Sequence, residues 1–178
     1  WGLGTCQRVR GNYLKAMEHF ERSLRLGLDI RDAYVQLIDY CQYKEDLLKV
    51  RGILEGRPLA GSSADMQSAL GIISFRLCEF NLARSRWNRA LVIYRRTGDV
   101  KGQGWALGRL SEVSFYQNEY SAALKLGAES LRALRSVSDI EGEIDTIYII
   151  AFVHLSQGDY TQAMKLAQQA RALCNRIG

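Results

Sequence analysis

Apolar positions in this chain recur at helical spacing and then recur again, as a block, every 40 residues. Three segments superimpose without gaps: CEFNLARSRWNRALVIYRRTGD (78–99), NEYSAALKLGAESLRALRSVSD (118–139) and GDYTQAMKLAQQARALCNRIG (158–178). In each, an aromatic residue (Phe80, Tyr120, Tyr160) stands three before an Ala (Ala83, Ala123, Ala163). Four further on comes Trp87, Gly127 or Ala167, and three beyond that a small residue, Ala90, Ser130 or Ala170. A 3–4–3 rhythm brings all of these onto one face of a helix. Small side chains there let a second helix approach closely, so the pattern predicts an amphipathic helix per unit packed against a neighbour.

A second apolar helix is predicted upstream of each signature, at 68–77, 105–116 and 146–155. The last, TIYIIAFVHL, is rich in β-branched residues and in isolation reads as a strand. Its place in the period makes it a helix, apolar on more than one side because it is sandwiched between neighbours. The N-terminal GNYLKAMEHFERSLRLG (11–27) repeats the signature through Tyr13, Ala16, Phe20, Ser23 and Leu24. Residues 32–58 leave room for one divergent unit, with Gly56 and Pro58 as a stop signal. The expected units are 1–28, 29–61, 62–98, 99–138 and 139–178.

Small–x–x–x–bulky spacing, a Leu-Gly pair in the first helix (Leu3-Gly4, Leu70-Gly71) and a Gly-Asn/Asp-Tyr turn (Gly11-Asn12-Tyr13, Gly158-Asp159-Tyr160) resemble the tetratricopeptide repeat family. The resemblance implies an all-α, right-handed superhelical solenoid of about five antiparallel helix pairs, forming one domain over 1–178. Ser74, Ser114 and His154 depart from it, standing where the family usually carries Tyr. The 40-residue period and the junction YRRTGDVKGQGWALGRLSEV are similar to the arrays of large bacterial transcription and signalling regulators. With Trp at position 1, the chain is expected to be a fragment of such a protein, with uncapped ends open to self-association.

The resemblance also implies a function. Family register places the first helix of each pair along a concave groove that takes a protein or peptide segment. On this chain the groove residues would be Trp1, Thr5 and Arg8; Asp32, Gln36, Asp39 and Tyr40; Ser68, Ile72, Phe75 and Arg76; Gly108, Glu112, Phe115 and Tyr116; and Tyr148, Phe152 and Leu155. Aromatic residues dominate its C-terminal half, and Glu112, Asp32 and Asp39 flank it, a combination suited to an apolar or basic segment.

Composition narrows the chemistry. Four Cys (Cys6, Cys41, Cys78, Cys174) share no C-x-x-C spacing, and only His19 and His154 could join them, so no metal site or cofactor is expected. Scattered thiols suit a reducing cytoplasm, and the longest apolar run, ten residues at 146–155, is too short to span a bilayer. Neither histidine has an acidic or Cys partner at helical spacing, and no nucleophile–base arrangement is present, so an enzyme is not expected. The net charge is +5, with basic residues clustered in RSRWNRALVIYRR (84–96). Without aromatic–basic alternation this cluster reads as a solvated helix face, and a nucleic-acid partner is not expected.

Glycines around Lys101 raise the question of phosphate binding. Gly102, Gly104 and Gly108 have neither phosphate-loop nor dinucleotide spacing, and an amphipathic helix rather than a strand precedes them. Gly102 aligns with Gly142 and is therefore an inter-repeat feature. Gly104 and Gly108 align with Ile144 and Tyr148 and belong to this unit alone. Each costs a helix roughly 1 kcal/mol relative to Ala. Two explanations stand: close helix packing, or room for a small-molecule effector against Trp105 and Tyr148.

Overall fold

The computed structural model describes residues 38, 41, 43–56 and 61–177. Helices are the sole regular structure among them, and they fall into two compact units, 1–79 and 80–178. Trp1, Thr5, Arg8, Asp32, Gln36, Asp39 and Tyr40, together with the signature at 11–27, lie outside the described residues.

The first unit contains α1 (Lys44–Glu55) and α2 (Ala64–Arg76). Gly56 ends α1, as its stop signal predicts, its N–H returning to the Gly52 carbonyl at 3.1 Å. Ser63 opens α2 by accepting from the Met66 N–H at 3.3 Å, four residues upstream of the predicted start. The first turn of α2 mixes Asp65 and Gln67 with the buried Ala64 and Met66, and the Ser63 cap extends the helix through it. Leu47, Val50 and Leu54 of α1 meet Met66, Leu70 and Ile73 of α2 in a core that also holds Ile38 and Cys41. Burial, helped by the Asp46 charge and opposed by Arg76, pushes the Cys41 thiol up to about 11. Arg51 donates from Nη1 to both carboxylate oxygens of Glu79, at 3.0 and 2.8 Å.

The second unit is an ordered series: α3 (Phe80–Thr97), α4 (Val100–Tyr116), α5 (Tyr120–Ser136), α6 (Ile140–Ser156) and α7 (Tyr160–Ile177). Helices begin every 20 residues, so two helices make the 40-residue period. The β-branched stretch 146–155 is helical, as its place in the period requires. Between successive helices the chain turns through one left-handed residue: Gly98 (φ 74°), Asn118 (φ 61°), Ser138 (φ 55°) and Gly158 (φ 79°). Each turn is closed by the same pair of bonds. At Ser138, for example, its own N–H reaches the Arg135 carbonyl (3.1 Å) and the Asp139 N–H reaches Leu134 (3.0 Å). Where the next residue is Asp it caps the following helix, Asp99 accepting from Gly102 N–H (2.8 Å), Asp139 from Gly142 N–H (3.2 Å) and Asp159 from Gln162 N–H (3.1 Å). Gly102 therefore sits in the first turn of α4; the turn between helices is at Gly98.

First helices α4 and α6 touch each other, while α3, α5 and α7 pack mainly onto them. The signature residues Ala83, Trp87 and Ala90 of α3, and Ala123, Gly127 and Ser130 of α5, are buried. A hydroxyl seam crosses α4, α5 and α6. Ser130 donates to the Gly104 carbonyl (2.8 Å) and lies 3.0 Å from Thr146, which donates to Gly142 (2.9 Å); Ser111 donates to Ala123 (2.7 Å). Every one of these buried hydroxyls has a partner, so the seam adds specificity without an uncompensated polar group.

Candidate protein-interaction surfaces

On α4, Arg109, Glu112, Phe115 and Tyr116 follow one another at helical spacing, and on α6 Asp145, Tyr148, Ile149 and Phe152 do the same. Because α4 and α6 touch, the two stripes line one depression of about 220 Å³. Its rings form a chain: Phe80 stacks on Tyr116 (centroids 5.6 Å apart), Tyr116 meets Phe115 edge-on (5.4 Å), and Phe115 faces Phe152 (6.4 Å). Tyr116 and Phe152 nevertheless keep 53% of their surface in water, and Tyr148 keeps 41%.

At one end, Arg109 donates to Glu112 (2.8 Å) and Asp145 (3.0 Å), with its guanidinium 5.7 Å from the centre of the Trp105 ring. Two carboxylates share one cation, leaving a local excess of negative charge. Trp105 in turn donates its indole N–H to Asp139 (2.8 Å), which also pairs with Lys101 (3.2 Å). Burial opposes ionisation of Asp139, but the bonds from Trp105 and Gly142 and the Lys101 charge outweigh it and hold the carboxyl below its ordinary value.

Of the residues expected in a groove, Glu112, Phe115, Tyr116, Tyr148 and Phe152 thus share one site, and Leu155 is exposed further along α6. Gly108 is buried instead: a Cβ there would lie 3.1 Å from Thr146 Oγ1 and 3.2 Å from Ser130 Oγ. In the first unit Ser68 and Phe75 are half-buried, Ile72 packs against the core, and Arg76 donates to the Ile38 and Cys41 carbonyls. Arg109, Asp145 and Ile149 were not anticipated. Each stands three residues before an expected site residue (Glu112, Tyr148, Phe152), so extending the stripe by one turn finds them.

The structure also bears on the choice between packing and an effector at Gly104 and Gly108. A Cβ on Gly104 would fall 2.6 Å from Leu134 Cγ, and the gap beside Gly108, between Trp105, Leu134 and Thr146, is about 10 Å³. That is room for one water at most, so the space beside both glycines is filled by neighbouring helices. His154 proves to have an acidic neighbour after all, Asp159 across the turn at 3.5 Å.

A second surface lies on the outward faces of α3, α5 and α7, away from α4 and α6. These three helices carry eleven Lys and Arg against one acid, Glu129. Acids of this unit stand instead at the caps and on the first helices, where they pair with Arg84, Lys101, Arg109 and Arg135. Arg89, Arg95 and Arg96 of α3, Lys125 and Arg132 of α5, and Lys165 and Arg176 of α7 are exposed and make no ion pair among the described residues. Those residues hold no cluster of metal-ligating side chains, and no helix among them is long and apolar enough to cross a membrane.

Paired helices repeating every 40 residues define a helical-repeat scaffold, and comparison with known proteins gives the family. Two models described as tetratricopeptide repeat match residues 62–136 and 145–177, together more than half of the chain. The chain belongs to the tetratricopeptide repeat family, whose arrays are protein-interaction scaffolds. Two solved structures share the fold. "Crystal structure of MamA" covers 97% of this chain and 95% of its own at 17% identity, with a TM-score of 0.57. "Crystal structure of MamA protein" covers 96% and 87% at 17% identity, with a TM-score of 0.56. No curated protein matches.

Proposed function

We propose that this chain is a non-enzymatic docking module that takes a segment of a partner protein across α4 and α6. The observation that carries the reading is the group Tyr116, Tyr148 and Phe152, each at least 41% exposed, around one depression. Large aromatic side chains left in water at a concave site are the usual anchors of an interface. The segment would seat an apolar side chain among Phe115, Tyr116 and Phe152 and present a basic group to Glu112 and Asp145. We read the module as the sensor or docking part of a bacterial signalling or transcription regulator, which the 40-residue period supports. Free thiols at Cys78 and Cys174 suit a cytoplasmic setting.

The test is selection of displayed peptides against the wild-type chain, followed by affinity measurement on Y116A/F152A. Selected peptides should share an apolar residue flanked by Lys or Arg, and bind the variant at least about tenfold more weakly. Equal affinity for a variant whose thermal melt is unchanged would place the binding site elsewhere.

A further inference from the structure

We propose that the outward face of α3, α5 and α7 binds the phosphate backbone of duplex nucleic acid, without reading its sequence. The sequence presents a basic cluster on one helix, and such clusters are ordinarily solvated faces in which both signs mix. The structure shows something different: exposed cations recur on all three successive second helices, with Glu129 their one acid, and the other acids of the unit stand at the caps and on the first helices. Arg95 of α3 and Arg135 of α5 occupy equivalent positions, as do Arg96 and Arg176, and Lys125 and Lys165. Arg135 alone of these six is paired, with Glu143 at 2.8 Å.

Three features favour a duplex over other polyanions. Along one helix, Arg89 and Arg96, or Lys125 and Arg132, are seven residues and so about 10 Å apart. A duplex offers a charge about every 1.7 Å of its axis, so widely set cations find phosphates in any register, whereas an acidic peptide would need its carboxylates matched to them. The strip is mostly Arg, whose planar fork fits phosphate oxygens two at a time. It also lacks what other anionic surfaces need. Val92 (65% exposed) and Leu82 (38%) are the large apolar side chains exposed on α3, too few to enter a bilayer. The rings within the basic stretch of α3, Trp87 and Tyr94, are buried and offer no face on which an unpaired base could stack.

The experiment follows fluorescence anisotropy of a labelled 30-base-pair DNA duplex with the full chain. If about four phosphates are contacted, affinity should fall on the order of 100-fold between 50 and 200 mM salt. R95E/R96E/R132E should abolish binding, R95Q/R96Q should weaken it and flatten the salt slope, and Y116A/F152A should leave it unchanged. The milder Gln variant keeps the test decisive if charge reversal disturbs folding. Absence of binding at 50 mM salt, or equal binding by both Arg variants, overturns the proposal. Stronger binding to poly-glutamate or to phosphatidylserine vesicles than to the duplex overturns it too, in favour of an acidic protein or a membrane.

Discussion

Replacing Gly104 with Ala separates the two explanations that the sequence leaves open for this residue. On an exposed helix the change would stabilise by roughly 1 kcal/mol, through helix propensity alone. Here the new Cβ would lie 2.6 and 2.7 Å from Leu134 Cγ and Cδ2 and 3.3 Å from the Leu134 backbone nitrogen, where carbon atoms prefer about 3.5–4 Å. Leu134 is 1% exposed and also fills the slot at Gly142, whose Cβ would sit 2.9 Å from Cδ2, so it cannot swing toward α6. The remaining relief is to part α4 from α5, which stretches the 2.8 Å bond from Ser130 to the Gly104 carbonyl. Overpacking costs typically 1–3 kcal/mol and a weakened hydrogen bond about 1 kcal/mol. Set against the propensity gain, G104A should destabilise by about 1–3 kcal/mol, lowering the melting temperature of a unit this size by roughly 4–24 °C. L134A by itself should cost about 2–5 kcal/mol, but in that background the Cβ has space and G104A should become neutral or stabilising. Urea unfolding of the four proteins in this cycle measures the coupling, expected at about 1–3 kcal/mol. If G104A stabilises the wild-type chain, or has the same effect in both backgrounds, close packing is not the reason for the glycine.

Asp139→Asn should destabilise by about 1–2 kcal/mol at pH 7, from the weakened cap and the loss of charge beside Trp105 and Lys101. Since the folded carboxyl titrates below its ordinary value, its contribution is complete above the unfolded pKa near 4 and is lost as pH falls through the lower folded value. Urea melts of the two proteins should therefore differ equally at pH 5 and 8 and converge toward pH 2–3; a gap that widens on acidification refutes this sign. Ser138→Gly should stabilise by about 0.5–1 kcal/mol, because a left-handed residue with a side chain costs about 1–2 kcal/mol and glycine's greater unfolded freedom offsets part of the gain. A lower melting temperature for S138G would show that the serine side chain contributes a contact of its own.

The sequence reveals most where one residue type serves one face. The residues that follow the aromatic in the 3–4–3 pattern are buried in α3 and α5 while Phe80 and Tyr120 are half-buried, and the gapless 40-residue alignment places every helix in the second unit. Helix starts were legible less well, because Asp99 and Asp139 begin helices whose first turns mix one apolar residue with Gly and charged or polar residues. The aromatic half of the candidate site was legible through family register. Of its charged end only Glu112 was: Arg109 and Asp145 meet across two helices 36 residues apart, a pairing no local spacing expresses. Gly108 was misplaced for a related reason. Register puts it in line with the groove stripe, but the hydroxyls of Ser130 and Thr146 come so close that its position lies under the surface.

One consequence concerns the period itself. The backbone repeats every 20 residues, with the same left-handed turn at Gly98, Asn118, Ser138 and Gly158, whereas the side chains repeat every 40. The difference arises because alternate helices have different surroundings: α4 and α6 are contacted by three neighbours and bury most of their circumference, while α3, α5 and α7 keep an outer face in water. Turn geometry is set by the two closing hydrogen bonds, which any residue's backbone can make, so Asn and Ser are tolerated where Gly fits best. The same alternation separates the chemistry. First helices supply the aromatic rings and acids of the depression, second helices supply the unpaired cations, and each helix pair added to the array extends both strips together without bringing them into contact.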